Sequence, residues 1–181
     1  MKTGDDIHIP SVGNVPSFHV ELRPTTVDEP NAYTTAAGAP LFIVADTHGE
    51  YEILVELLRK HRIVDASLQW SFRKGHLVFL GDVFDRGPNQ TEILWLIYKL
   101  EAEAKKARGG VHLVLGNHEH MVLTGDVRYL NSKYARSAQT LGVGSYSDLF
   151  AANTVFRPVA AYQAGRDQAE RSALPARWHF A

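Results

Sequence analysis

Three short apolar runs constrain this chain more than anything else in it. Leu41-Phe42-Ile43-Val44-Ala45, His76-Leu77-Val78-Phe79-Leu80 and Val111-His112-Leu113-Val114-Leu115 recur at near-equal intervals. Continuous rather than alternating hydrophobicity predicts strands buried on both faces, as in a parallel sheet. Between the runs lie helical patterns. The first carries Ile53, Leu54, Leu57 and Leu58 on one side; the second runs from about Asn89 to Ala107 with Ile93, Leu94, Leu96, Ile97 and Leu100 apolar. Its far end, 101–108, reads as charged and solvated, and Gly109-Gly110 as its stop. The order strand, helix, strand, helix, strand predicts an α/β chain with a βαβαβ core and right-handed crossovers.

The end of each run is polar. Asp46-Thr47-His48 follows the first, Gly81-Asp82-Val83-Phe84-Asp85-Arg86-Gly87 the second, and Gly116-Asn117-His118-Glu119 the third. In an open parallel sheet, ligands bind at the carboxyl ends of the strands. Each cluster has an ordinary explanation alone. Thr47 and Glu50 fit a helix capping box, Asn117 is a good N-cap, and Arg86 can offset Asp82 and Asp85 in a surface turn. Capping explains one acceptor per helix, however, and not two histidines, two aspartates and an arginine on one edge. Carboxylate, imidazole and amide oxygen together suit Mn, Fe, Zn or Mg. A carboxylate shared between two cations is an arrangement used for in-line phosphoryl displacement.

The 181 residues, 45% hydrophobic and 22% charged, allow one domain with a sizeable core. A formal net charge of −1 gives no electrostatic case for nucleic acid or an anionic membrane as partner. With no cysteine, disulfides and thiolate metal sites are excluded. No apolar stretch resembles a secretory signal or reaches membrane-spanning length, so a cytoplasmic location is expected. His61, His76, His112 and His120 read as packing or surface residues, and Arg128 as solvated.

The three clusters resemble the N-terminal signatures of the calcineurin-like metallophosphoesterases, and more narrowly of the phosphoprotein phosphatase family. Gly125-Asp126-Val127-Arg128-Tyr129 after the third cluster is similar in spacing to the bacterial Shewanella-like branch. The resemblance covers roughly residues 41–134. It implies a four-layer αββα fold in full-length relatives and two divalent metal ions (Mn, Fe or Zn). Asp46 and His48 would bind the first ion, Asp82 would bridge both, and Asn117 would bind the second. His118 would be the general acid, oriented by Asp85, and Arg86 would hold the phosphoryl oxygens beside Asn117 and His118. Phosphorylated protein or a small phosphate ester is the implied substrate. A dinucleoside polyphosphate hydrolase and a non-catalytic, truncated fragment are the alternatives.

The family pattern implies two further histidines after the third cluster. Beyond Asn153 this chain has only His179, and from Phe156 onward it is rich in alanine and arginine without lysine or isoleucine. Three regions are therefore expected: an extended arm over 1–39 with one short strand near 17–22, the N-terminal part of the domain over 40–154, and an atypical tail over 155–181. The tail is expected to be out of frame, or the gene truncated. The second metal would then be under-coordinated, and apolar faces of the sheet would be left open.

Overall fold

A computed structural model describes residues 4–23, 38–124, 126–134 and 136. The expected tail and most of the region between the first 23 residues and the first apolar run lie outside them.

The expected βαβαβ unit is present. Numbering in chain order, β1 is Asp6–Ile9, β2 Phe18–Glu21, β3 Leu41–Val44, α1 Tyr51–Lys60, β4 His76–Phe79, α2 Gln90–Lys106, β5 Gly110–Leu113 and α3 Asn117–Leu123. Strands β3, β4 and β5 form a parallel sheet in that order. Each polar cluster therefore leaves the sheet at the same edge.

Register divides the sheet into two faces. Phe42, Val44, Leu77, Phe79, Val111 and Leu113 share one parity and pack into the core with α1 and α2. Leu41, Ile43 and Val78 share the other, which continues into Leu80 and Val114. Leu41, Ile43, Leu80 and Val114 are each between 50% and 54% exposed. The runs thus do not produce strands buried on both sides. Among the described residues, only one face is covered by helices.

On the open face His76 and His112 meet, Nδ1 to Nε2 at 2.9 Å. Their planes lie 7° apart with centroids at 5.2 Å, too far for close stacking, so one ring's N–H donates to the other's nitrogen. Burial, and then His76, lowers the His112 pKa below its ordinary 6.5.

Helix α1 buries Tyr51, Leu54, Val55 and Leu58, the i, i+3, i+4, i+7 stripe. Ile53, expected on that stripe, is instead 65% exposed, because it lies about 200° round the helix from Tyr51. The predicted capping box at Thr47 and Glu50 does not form: α1 has no side-chain cap. Both crossover helices end in the same way, with an arginine at positive φ, Arg62 (56°) and Arg108 (62°). The next residue then donates back five positions, Ile63 N–H to Leu58 O and Gly109 N–H to Ala104 O.

Two expectations need correction. Residues 4–23 are not an extended arm with one strand. Strands β1 and β2 pair antiparallel, and Ile9, Val15, Phe18 and Val20 enter the core. Nor is the end of α2 merely solvated. Arg23 donates to Glu101 at 2.9 Å and lies 3.8 Å from the Tyr98 ring centroid. Glu103 accepts from the Trp70 N–H and from Lys99. That helix end therefore anchors both the hairpin and the segment before β4.

Candidate active site

The three loops at the sheet edge are held as one body. His48 N–H donates to Asp82 O at 2.9 Å, Gly87 N–H to His48 O at 2.8 Å, and Asn89 N–H to Gly49 O at 3.2 Å. Glycines let the backbones touch. A Cβ on Gly49 would meet the Gly87 carbonyl carbon at 2.7 Å, and one on Gly81 would overlap the Gly116 backbone. Nine non-glycine residues among those described have positive φ, and five are site candidates: Asp46 (54°), His48 (42°), Asp82 (52°), Asp85 (69°) and Arg86 (62°). Such conformations are uncommon outside glycine and cost roughly 1–3 kcal/mol each where the surroundings impose them.

In the loop after β4, Glu119 holds the backbone that carries Asp82. This carboxylate, 2% exposed, accepts from the N–H groups of Asp82 (2.7 Å), Val83 (2.7 Å), Phe84 (3.0 Å) and Gly116 (2.8 Å). One side chain on α3 thus fixes the loop after β4 and caps its own helix. Gln90 adds to this by accepting from Asp85 N–H at 2.9 Å. Neither Glu119 nor Gln90 was singled out from sequence. The signal for Glu119 was its place at the third position of a short helix that opens on glycine.

The candidate residues converge in large part. His48 Nδ1 donates to Phe84 O at 2.9 Å, which leaves Nε2 as a free donor atom. His118 Nδ1 donates to Asp85 Oδ2 at 2.8 Å, and its Nε2 lies 3.5 Å from the Arg86 guanidinium. Asp82 Oδ1 accepts the His118 N–H at 3.0 Å. His48 and His118 meet edge to face with centroids at 4.6 Å. One donor atom from each of His48, Asp82 and His118 lies within 4.8 Å of the others. His48 and Asp82 are thereby placed to share a cation, with the His118 ring beside them. Asp46, largely exposed, approaches at 3.9 Å from the His48 Nε2. Asn117 opens α3 on the same edge and is exposed.

Asp85 is fully buried, with its second oxygen lacking a protein partner. A buried carboxylate on a histidine ring is a means of fixing tautomer and orientation. The loop after α3 closes the site on the other side. Arg86 N–H donates to Tyr129 O at 2.9 Å, and Asn131 Nδ2 donates to Arg86 O at 2.8 Å. Arg128 is largely exposed, as expected, and its fork holds the Asp126 carboxylate at 2.6–3.0 Å, which lowers the Asp126 pKa.

Comparison with known proteins agrees with this geometry. Residues 39–165 match the family model for calcineurin-like phosphoesterases. The chain is similar to Shewanella-like protein phosphatase 2 of Arabidopsis thaliana, 33% identical over 65% of this chain and 28% of that one. It is likewise similar to Shewanella-like protein phosphatase 1 of Plasmodium berghei, 37% identical over 51% of this chain and 26% of that one. It therefore spans about a quarter of the length of these relatives. A solved cold-active protein-tyrosine phosphatase of a psychrophilic Shewanella species aligns over 86% of this chain and 63% of its own, at 26% identity and a TM-score of 0.55. The family is one that uses divalent metals, and the donors grouped here fit such ions. The chain belongs to the calcineurin-like phosphoesterase family.

Proposed function

We propose that this protein is a metal-dependent phosphomonoesterase acting on phosphorylated protein, with phosphotyrosine as its leading substrate. The similarity to a protein-tyrosine phosphatase supports that substrate, and the relatives named as protein phosphatases disfavour the dinucleoside polyphosphate alternative. Asp46 and His48 would hold one divalent ion, Asp82 would reach both, and Asn117 would hold the second; Mn, Fe and Zn all suit these donors. Cations bound there supply Lewis acidity, offsetting phosphoryl charge and acidifying water near neutral pH.

The chain's own residues do the remaining work. The Arg86 guanidinium grips phosphoryl oxygens with its planar fork. His118 Nε2 gives its proton to the departing ester oxygen. Asp85, bonded to His118 Nδ1, fixes the ring so that Nε2 is the nitrogen turned to the site. One observation carries this reading: two histidines are each tied at Nδ1, and one donor atom of each lies with one of Asp82 within 4.8 Å of the others.

The test is metal content and turnover of the purified chain with Mn²⁺ and an aryl phosphate. Two ions per chain, with activity lost more than about 100-fold in Asp82→Asn, is the expected result. A chain that binds no ion, or an Asp82→Asn variant as active as wild type, overturns it. A second reading, a non-catalytic fragment, draws support from the half-exposed apolar sheet face. It predicts at most one ion and no turnover. Comparing a phosphopeptide with diadenosine tetraphosphate separates the two enzymatic readings.

A further inference from the structure

We propose that Tyr129 determines leaving-group specificity at this site, its ring forming the wall on which the aromatic part of an aryl phosphate rests. The inference rests on the phosphomonoesterase reading above and deepens it.

His118 contacts two rings, His48 at a centroid distance of 4.6 Å and Tyr129 at 5.4 Å, the latter tilted by 55°. One donor atom each of His48 and Asp82 lies within 4.8 Å of one on His118, and Asp46 Oδ1 lies 3.9 Å from His48 Nε2. In phosphoryl transfer the attacking and leaving oxygens stand roughly in line. If His118 protonates the departing oxygen, the leaving group emerges beside the His118 ring, the ring that Tyr129 contacts.

Tyr129 is also unlike the chain's structural tyrosines. Tyr51 is 1% and Tyr134 9% exposed, whereas Tyr129 is 48% exposed. An aromatic ring that packs the core would not present half its surface beside a buried histidine. Its position is nevertheless fixed. Tyr129 O accepts the Arg86 N–H at 2.9 Å, so the ring's backbone moves with the residue assigned to the phosphoryl group. Leu130 N–H donates to Val127 O at 3.1 Å, and Asp126 N–H to Met121 O at 2.8 Å, closing the loop on itself. Arg128, pinned by Asp126, sits 5.8 Å from the Tyr129 ring centroid. A rigid, half-exposed ring next to the proton donor offers offset or edge contact to an aryl group. It offers much less to a serine or threonine ester, which has no ring to place there.

The experiment uses the full chain loaded with Mn²⁺, and compares wild type with Tyr129→Phe, Tyr129→Leu and Tyr129→Ala. Two readouts are taken: kcat/KM on matched phosphotyrosine and phosphoserine peptides, and affinity for phenylphosphonate against methylphosphonate. Tyr129→Ala and Tyr129→Leu should lower the aryl-to-alkyl ratio about three- to tenfold in both readouts, while Tyr129→Phe retains it. Equal loss on both substrates, an unchanged ratio, or a Tyr129→Phe variant as impaired as Tyr129→Ala overturns the assignment. If wild type turns over neither peptide and binds neither phosphonate, the phosphomonoesterase reading fails and takes this inference with it. A flat ratio in an active wild type sinks the Tyr129 role alone.

Discussion

The covered face of the parallel sheet and the rim at its carboxyl end are built on opposite terms. Below the rim, Leu77 and Phe79 on β4 are fully buried in extended backbone among α1, α2 and the hairpin. A few residues further on, Asp82, Asp85 and Arg86 occupy left-handed backbone, with charged groups crowded together. The first region gains from every contact it makes. The second spends conformational energy, and persists because Glu119 and the touching glycines leave the loop no alternative. Stability and chemistry are thus separated along one strand by a single turn of chain.

That separation can be broken experimentally. Phe79→Ala should destabilise the fold by about 3–5 kcal/mol, with metal bound per folded molecule unchanged, as read by chemical unfolding and metal analysis. Loss of metal from the still-folded fraction would show that core and rim are coupled. Glu119→Gln should cost about 1–3 kcal/mol, because its amide hydrogens would face backbone N–H groups that need an acceptor. Here metal affinity should fall at least about tenfold, measured by titration under conditions where far-ultraviolet dichroism is native. Retained affinity would mean that the rim holds its shape without that carboxylate.

The two faces of the sheet provide smaller tests. His112 has a lowered pKa, so the unfolded chain takes up the proton first as pH falls. Its contribution is complete above 6.5, the ordinary histidine value, and declines below it as acidification favours the unfolded state. His112→Asn should flatten stability against pH below that value, checked by denaturant midpoints at successive pH. The smallest effect belongs to the open face. Ile43→Thr should change stability by no more than about 0.5 kcal/mol, since the residue is half exposed. A cost near 2 kcal/mol would mean that something covers this face in solution.

How much of this was legible in the sequence follows from what each residue answers to. The strands and crossover helices were readable because apolar runs and a 3.6-residue period reflect local geometry. The rim residues were readable because their chemistry is unusual in company: Asp46, His48, Asp82, Asp85, Arg86, Asn117 and His118 all fall on one sheet edge. Glu119 was not, since its partners lie 35 to 37 positions away and are backbone groups, which carry no residue identity. The hairpin was missed for a related reason. Its strands have four residues each, and their burial depends on docking against α2 rather than on any long pattern. The open face was hidden as well, because a run of apolar residues does not say which side of the sheet will be covered.

Glu119 imposes an order on assembly. A ribosome delivers residues 82–84 some three dozen positions before the carboxylate that receives their amide hydrogens. Until that later segment arrives, those amides have only water as partner, and the cradle for cations cannot set. The candidate site therefore cannot set before α3 is made, although Asp46, His48 and Asp82 stand well ahead of it in the chain.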